Sequence, residues 1–143
     1  MRGHRVSIIA PFLTALLAWS CGGPGSGGAE SAGLEGSAFT ITVSAEQATA
    51  DPGAAGTWEI RFAEDGTYTV RGDGEVAAAG RYAVTGDRVT FTDESGPLMC
   101  VDDPEATYTF SLSGDEATFT SVDDTCPGRT TVLGAGPLTR QGS

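Results

Sequence analysis

The groups in this sequence that can do chemistry are three cysteines and nineteen carboxylates, set against eight basic residues. Cys100 and Cys126 each sit beside a pair of acids, in Val101-Asp102-Asp103 and Val122-Asp123-Asp124. Two such loop cysteines in an exported domain are expected to pair as a disulfide. Without histidine they make a poor zinc site. A bridge would gather Asp102, Asp103, Asp123 and Asp124 into one neighbourhood. Ca²⁺ takes about six to eight oxygen ligands and could use them. No spaced Asp/Asn/Gly calcium loop is present, so a solvated acidic surface is the plainer reading. No cofactor and no metal are expected.

Catalysis has few groups to draw on. Every basic residue is Arg, Lys is absent, and the single histidine is His4. That removes the common general bases, Schiff-base formers and imidazole ligands. A paired Cys100 leaves no thiol nucleophile. Carboxylates alone remain, as in glycoside hydrolysis, and here they cluster in turns. The chain is therefore not expected to be an enzyme. Its charge of −11 argues against nucleic acid and against anionic lipid surfaces, both of which need basic patches.

The start of the chain reads as an export signal over residues 1–20. Arg2, His4 and Arg5 form a positive head, and Val6 to Trp19 is nearly all apolar. That run is shorter than the roughly 20 residues a membrane span needs, and its layout is that of a secretory signal. Leu17-Ala18-Trp19-Ser20-Cys21 resembles a bacterial lipobox, in which Cys becomes the lipid-bearing N-terminus. It departs from that pattern in placing Ala18, rather than Leu, three positions before Cys21. The alternative is a signal that is cleaved without lipidation. The resemblance implies a diacylglycerol on Cys21, which supplies the more-than-one chain a stable anchor requires. Residues 22–37 are rich in Gly and Ser, a flexible tether with a reach of roughly 20–24 Å. Gly23-x-Gly25-x-x-Gly28 formally matches a dinucleotide fingerprint, but no strand precedes it and no helix follows. The expected location is the extracytoplasmic face of the cell membrane, anchored by lipid alone.

From residue 38 onward the pattern has a period of two. Phe39, Ile41 and Val43 alternate with threonines. So do Trp58, Ile60 and Phe62; Tyr68 and Val70; Tyr82 and Val84; Val89 and Phe91; Tyr108, Phe110 and Leu112; Ala117 and Phe119, with threonine, serine or charged residues between. This is the mark of half-buried strands with one wet face. Glu64-Asp65-Gly66, Asp73-Gly74, Thr85-Gly86-Asp87 and Ser113-Gly114-Asp115 punctuate the runs with hairpin residues. A last run from Thr130 to Leu133, continuing past Gly136-Pro137 to Arg140, completes about eight strands. Ser44 to Gly56 is left as a loop or short helix. Short turns between regular strands imply an all-β, antiparallel up-and-down barrel or a small sandwich; closure removes exposed edges and favours the barrel.

Gly56-Thr57-Trp58, Asp65-Gly66-Thr67-Tyr68, Gly80-Arg81-Tyr82, Gly86-Asp87-Arg88-Val89, Cys100, Tyr108-Thr109-Phe110, Val122-Asp123-Asp124-x-Cys126 and Arg129 follow in an order that resembles an uncharacterised, actinobacterial-type family of lipocalin-like lipoproteins. The resemblance spans roughly residues 38 to 141. It implies that Trp58 closes one barrel end with an arginine packed across it, Arg140 by position or Arg129 as rival.

Two functions are expected of such a domain. The first is binding of a small apolar ligand inside the barrel, with Trp58, Phe62, Tyr68, Tyr82, Phe91, Tyr108 and Phe110 as candidate contacts. The second is an envelope structural or interaction role with a barrel filled by its own side chains, since eight strands permit either. The run Ala77-Ala78-Ala79-Gly80 could leave space inside or let another element pack closely. A small hydrophobic ligand is the expected partner, and the chain is expected to be a monomer.

Overall fold

The computed structural model describes residues 33–142. The expected signal segment, Cys21 and the tether up to residue 32 lie outside the described residues. Eight strands follow in chain order: β1 (Ala38–Val43), β2 (Gly56–Phe62), β3 (Thr67–Gly72), β4 (Glu75–Thr85), β5 (Arg88–Ser95), β6 (Glu105–Ser113), β7 (Glu116–Asp123) and β8 (Leu138–Arg140). Each pairs antiparallel with the next, and β8 pairs back onto β1, so the sheet closes as an up-and-down barrel. This is the closed antiparallel barrel expected from the alternation.

The two faces of each strand behave as their side chains require. In β5, Val89, Phe91 and Asp93 are buried while Thr90 and Thr92 are less so. On the outer face threonine hydroxyls meet across strands, Thr42 with Thr57 at 3.1 Å and Thr90 with Thr107 at 3.2 Å, the pairing that suits β-branched polar residues on a wet sheet. Asp73 and Gly74 both take positive φ, 51° and 84°, which the two-residue turn between β3 and β4 demands.

The ends of the barrel differ. The β2–β3, β4–β5 and β6–β7 connections are tight turns at one end. The β1–β2 and β5–β6 connections and the segment between β7 and β8 are long and gather at the other. The β1–β2 connection holds two single-turn 3-10 helices, Gln47–Thr49 and Pro52–Ala54, as the loop-or-helix reading allowed.

Two expectations are corrected. The segment from Thr130 to Leu133 is not a strand; it lies in a helix, α1 (Pro127–Gly134). Pro127 stands at the first helical position, where its fixed φ and missing N–H fit. Arg129, Val132 and Leu133 then fall at i, i+3 and i+4, one helical face, and all three line the barrel interior. Only Leu138–Arg140 form the eighth strand. The expected tether also does not extend to Ser37: residues from Gly33 onward are part of the folded domain. Leu34 is fully buried, and the Ser37 carbonyl accepts from the Phe62 amide at 2.8 Å. A lone leucine in a Gly/Ser-rich run has apolar surface to bury, and here it plugs the tight-turn end of the barrel.

Candidate functional site

The barrel is filled in one half and hollow in the other. Toward the tight turns, Phe62 meets Phe39, Tyr82 and Phe119 at ring-centroid distances of 6.1, 5.0 and 6.4 Å, within the range of favourable aromatic pairs. Phe110 packs on Phe119 at 6.3 Å. The Tyr82 hydroxyl donates to the Ala63 carbonyl at 2.7 Å. Leu34 seals this end. Arg140 lays its guanidinium 4.9 Å from the centre of the Phe39 ring and donates to the Gly33 carbonyl at 2.8 Å and to the Ser37 hydroxyl. The arginine from the last strand thus packs across Phe39, not across Trp58 as expected. The reason is register: β1 and β8 place Phe39 opposite Arg140, while Trp58 lies opposite Ile41.

Toward the long loops the interior opens into a cavity of about 400 Å³. Its walls are Trp58, Ile60, Val70, Ala77, Ala78 and Phe91. Val132 and Leu133 of α1 and Leu98 and Met99 of the β5–β6 loop close over it. Leu98 remains 60% exposed at the mouth, and its amide holds the loop to the Ala77 carbonyl at 2.9 Å. The indole N–H of Trp58 donates to the Ala54 carbonyl at 2.7 Å, which leaves the ring an apolar wall. Both readings of the alanine run are met. Ala77 and Ala78 give room to the hollow. Gly80 allows close approach, since a Cβ there would collide with the Thr92 carbonyl.

Of the seven candidate contacts, Trp58, Tyr68 and Phe91 line the cavity. Phe62, Tyr82, Tyr108 and Phe110 do not; they are buried in the core, Tyr108 with its hydroxyl on Asp124 behind the cavity wall. Alternation locates inward positions but not their height along the barrel axis, and height decides between core and cavity.

One wall of the cavity is polar. The Arg129 side chain is 9% exposed, and those of Asp93 and Asp124 are 4% and 0%. Arg129 donates from Nε and Nη2 to the two oxygens of Asp124, each at 2.8 Å, the bidentate geometry a guanidinium favours. Its Nη1 lies 3.4 Å from Asp93 Oδ2. Nη2 and Nη1 also donate to the Asp103 and Pro104 carbonyls, at 2.9 and 3.2 Å. Tyr68 donates its hydroxyl to Asp93, and Tyr108 to Asp124. Among the described residues no buried side-chain polar atom lacks a partner.

The disulfide belongs to the same structure. Cys100 and Cys126 are bonded, with their Cα atoms 6.1 Å apart. The Cys100 amide donates to Asp93 at 2.8 Å and the Cys126 amide to Asp124 at 2.9 Å. One covalent bond, one guanidinium and two carboxylates therefore tie the β5–β6 loop to the start of α1.

The four acids near the bridge do not converge. Asp124 faces Arg129, and Asp103 accepts from the Thr125 amide and hydroxyl at 3.1 and 2.6 Å, which holds its carboxyl below the usual range. Asp102 and Asp123 remain at the surface. Among the described residues no three His, Cys, Asp or Glu side chains group as metal ligands.

Electrostatics fixes who donates. Burial, with Asp93 beside it, pushes the Tyr68 phenol far above its ordinary value; burial and Asp124 do the same to Tyr108. Both stay protonated and donate. Burial opposes the charge on Arg129, but Asp124 and Asp93 outweigh it and hold the guanidinium charged. A raised phenol pKa favours the protonated folded state. That stability is present below the unfolded value of about 10 and is lost as pH climbs beyond it. Tyrosinate absorbance is therefore expected to appear for Tyr68 and Tyr108 only as the barrel unfolds in alkali. Full ionisation of all three tyrosines near pH 10, with the β circular-dichroism signal intact, would contradict this placement.

Asp93 and the bridging role of Arg129 escaped the sequence reading. Asp93 had a visible sign: it continues the inward series Val89, Phe91, Asp93, a carboxylate where the alternation calls for an apolar residue. Compared with protein families, curated proteins and solved structures, the chain matches none.

Proposed function

We propose that this chain is a non-catalytic, exported and lipid-anchored binding protein of the lipocalin-like type, holding a small apolar ligand in the hollow half of its barrel. The observation that carries the reading is the cavity itself. Its volume of about 400 Å³ falls in the roughly 300–1,000 Å³ range of small-molecule sites. Its walls are apolar with a few fixed polar groups, as such sites are built. Packing residues of its own fill only the other half.

The polarity of the barrel fits an anchored receptor. The chain enters through Gly33 and Leu34 at the tight-turn end, opposite the mouth. A lipid on Cys21, joined by the short Gly/Ser-rich segment, would put the sealed end toward the bilayer and the mouth toward the outside. The alternative of a wholly filled barrel is disfavoured by the hollow.

Native mass spectrometry of protein purified without detergent tests the reading. The expected result is one bound molecule per chain, either a co-purified adduct or one added equivalent of the neutral probe N-phenylnaphthylamine. A spectrum of bare chain at all probe concentrations would overturn it.

A further inference from the structure

We propose that the cavity selects its occupant by charge: a lipophile whose head group donates a hydrogen bond, an alcohol or an ammonium, seated with that head at Asp51 on the rim. A fatty carboxylate is excluded. This rests on the ligand-binding reading above and narrows it to a chemical class.

Three charged residues line the cavity: Asp51, Asp93 and Arg129. Arg129 is the only one that could receive an anion, and it is already taken up: four of its five N–H groups are hydrogen-bonded and Asp93 stands 3.4 Å from the nitrogen that carries the fifth. A guanidinium carries five N–H groups. Nε binds Asp124; Nη2 binds Asp124 and the Asp103 carbonyl; Nη1 binds the Pro104 carbonyl and faces Asp93. The Trp58 N–H is held by Ala54, and the Tyr68 hydroxyl by Asp93. The side chains that could greet a carboxylate are all engaged inside the protein.

The acceptors are not all engaged. Asp51 Oδ1 accepts from the Gly53 amide at 3.0 Å. Its Oδ2 lies beside Gly128 in the first turn of α1; a Cβ built on Gly128 would sit 2.9 Å from it. Asp51 and Gly128 both line the hollow, as do Leu98 and Met99. The positive end of α1 that borders the cavity thus already has an anion against it. Asp51 and Asp93 against the one cation leave the lining negative, and Asp124 adds to that from behind. An ionised carboxylate entering here would lose water and meet no donor, the costly case. A hydroxyl or ammonium would donate to Asp51 while its chain fills the space between Trp58, Val70 and Ala78.

The test is competition on the whole protein, purified from an exporting host. The cavity is loaded with N-phenylnaphthylamine, and the probe is displaced at neutral pH by decanol, decylamine or decanoate, with and without molar salt to screen the acidic exterior. Decanol and decylamine are expected to displace the probe at concentrations at least tenfold lower than decanoate, in both salt conditions. Asp51→Asn keeps a capping side chain at this position, since Asn caps about as well as Asp. In that variant the advantage of decylamine over decanol is expected to fall at least threefold, because the charge of the acceptor is lost while an acceptor oxygen remains. Decanoate competing as well as the other two would overturn the charge selection and leave the ligand-binding reading standing. So would an amine advantage that survives Asp51→Asn. Absence of saturable probe binding would overturn both.

Discussion

Arg129→Met is expected to lower the folding stability of this barrel by about 3–5 kcal/mol, the cost of leaving a buried charge without its partner. Methionine keeps much of the apolar stem of arginine, so packing against the cavity wall changes little. What changes is that Asp93 and Asp124, with side chains 4% and 0% exposed, lose their common cation. Their remaining donors, Tyr68, Tyr108 and the amides of Cys100 and Cys126, cannot neutralise two carboxylates. The effect is large against the roughly 5–15 kcal/mol total stability of a domain. Urea unfolding checks it, as a fall in the midpoint at unchanged slope. Neutralising the acids as well, in Asp93→Asn/Asp124→Asn/Arg129→Met, is expected to recover most of the loss, because a buried ion cluster often adds little over a neutral one. A single-variant loss below about 1 kcal/mol, the worth of an exposed ion pair, would mean that the cluster is not buried in solution.

Removing the disulfide is expected to cost about 3–4 kcal/mol and to weaken ligand binding with it. The figure follows from the chain entropy released when a link spanning 26 residues is cut. Cys100→Ala/Cys126→Ala frees the β5–β6 loop from α1, and both segments line the cavity. The cysteine amides also fix the two acids, so the clamp on Arg129 loosens as the bridge goes. Unfolding with and without reductant measures the stability change, and probe titration of the reduced protein measures the change at the mouth. Because the bridge and the ion cluster brace the same two segments, the losses from Arg129→Met and from the double cysteine variant are expected to combine to less than their sum. Full additivity would contradict the shared brace.

Most of the architecture could be read from side-chain order. The threonine-and-aromatic alternation has the strand period, and Asp-Gly or Gly-Asp turns fix four hairpins, β2–β3, β3–β4, β4–β5 and β6–β7, so most of the strand count and antiparallel order follows from local rules. The eighth strand shows where those rules stop. Thr130-Thr131-Val132-Leu133 has β-prone residues, yet Pro127 opens a helix there and a single helical face carries Arg129, Val132 and Leu133 onto the barrel. Tertiary burial overrode propensity, as it commonly does. Leu34 was missed for a related reason: one leucine among glycines gives no periodicity, but it is enough to plug a small barrel end.

The site was legible only in outline. Trp58, Tyr68 and Phe91 are cavity walls, whereas Phe62, Tyr82, Tyr108 and Phe110 are core. All seven point inward, and period-two reasoning cannot rank them along the axis. The ion cluster depends on strand β5, the end of β7 and helix α1 meeting at one place, which no local pattern encodes. The acids beside Cys126 read most plainly as a solvated surface; in the fold Asp124 instead secures an arginine.

The most direct test of the ligand cavity is a fluorescence titration of N-phenylnaphthylamine against the wild-type protein and Ala78→Phe. Ala78 lines the hollow opposite Val70, so a phenyl ring there fills the space a ligand would use and leaves the outer surface untouched. Saturable binding by the wild-type protein, lost at least tenfold in an Ala78→Phe variant with unchanged circular dichroism, is the expected result. Equal binding by the two proteins, or none by either, would contradict a ligand-holding barrel.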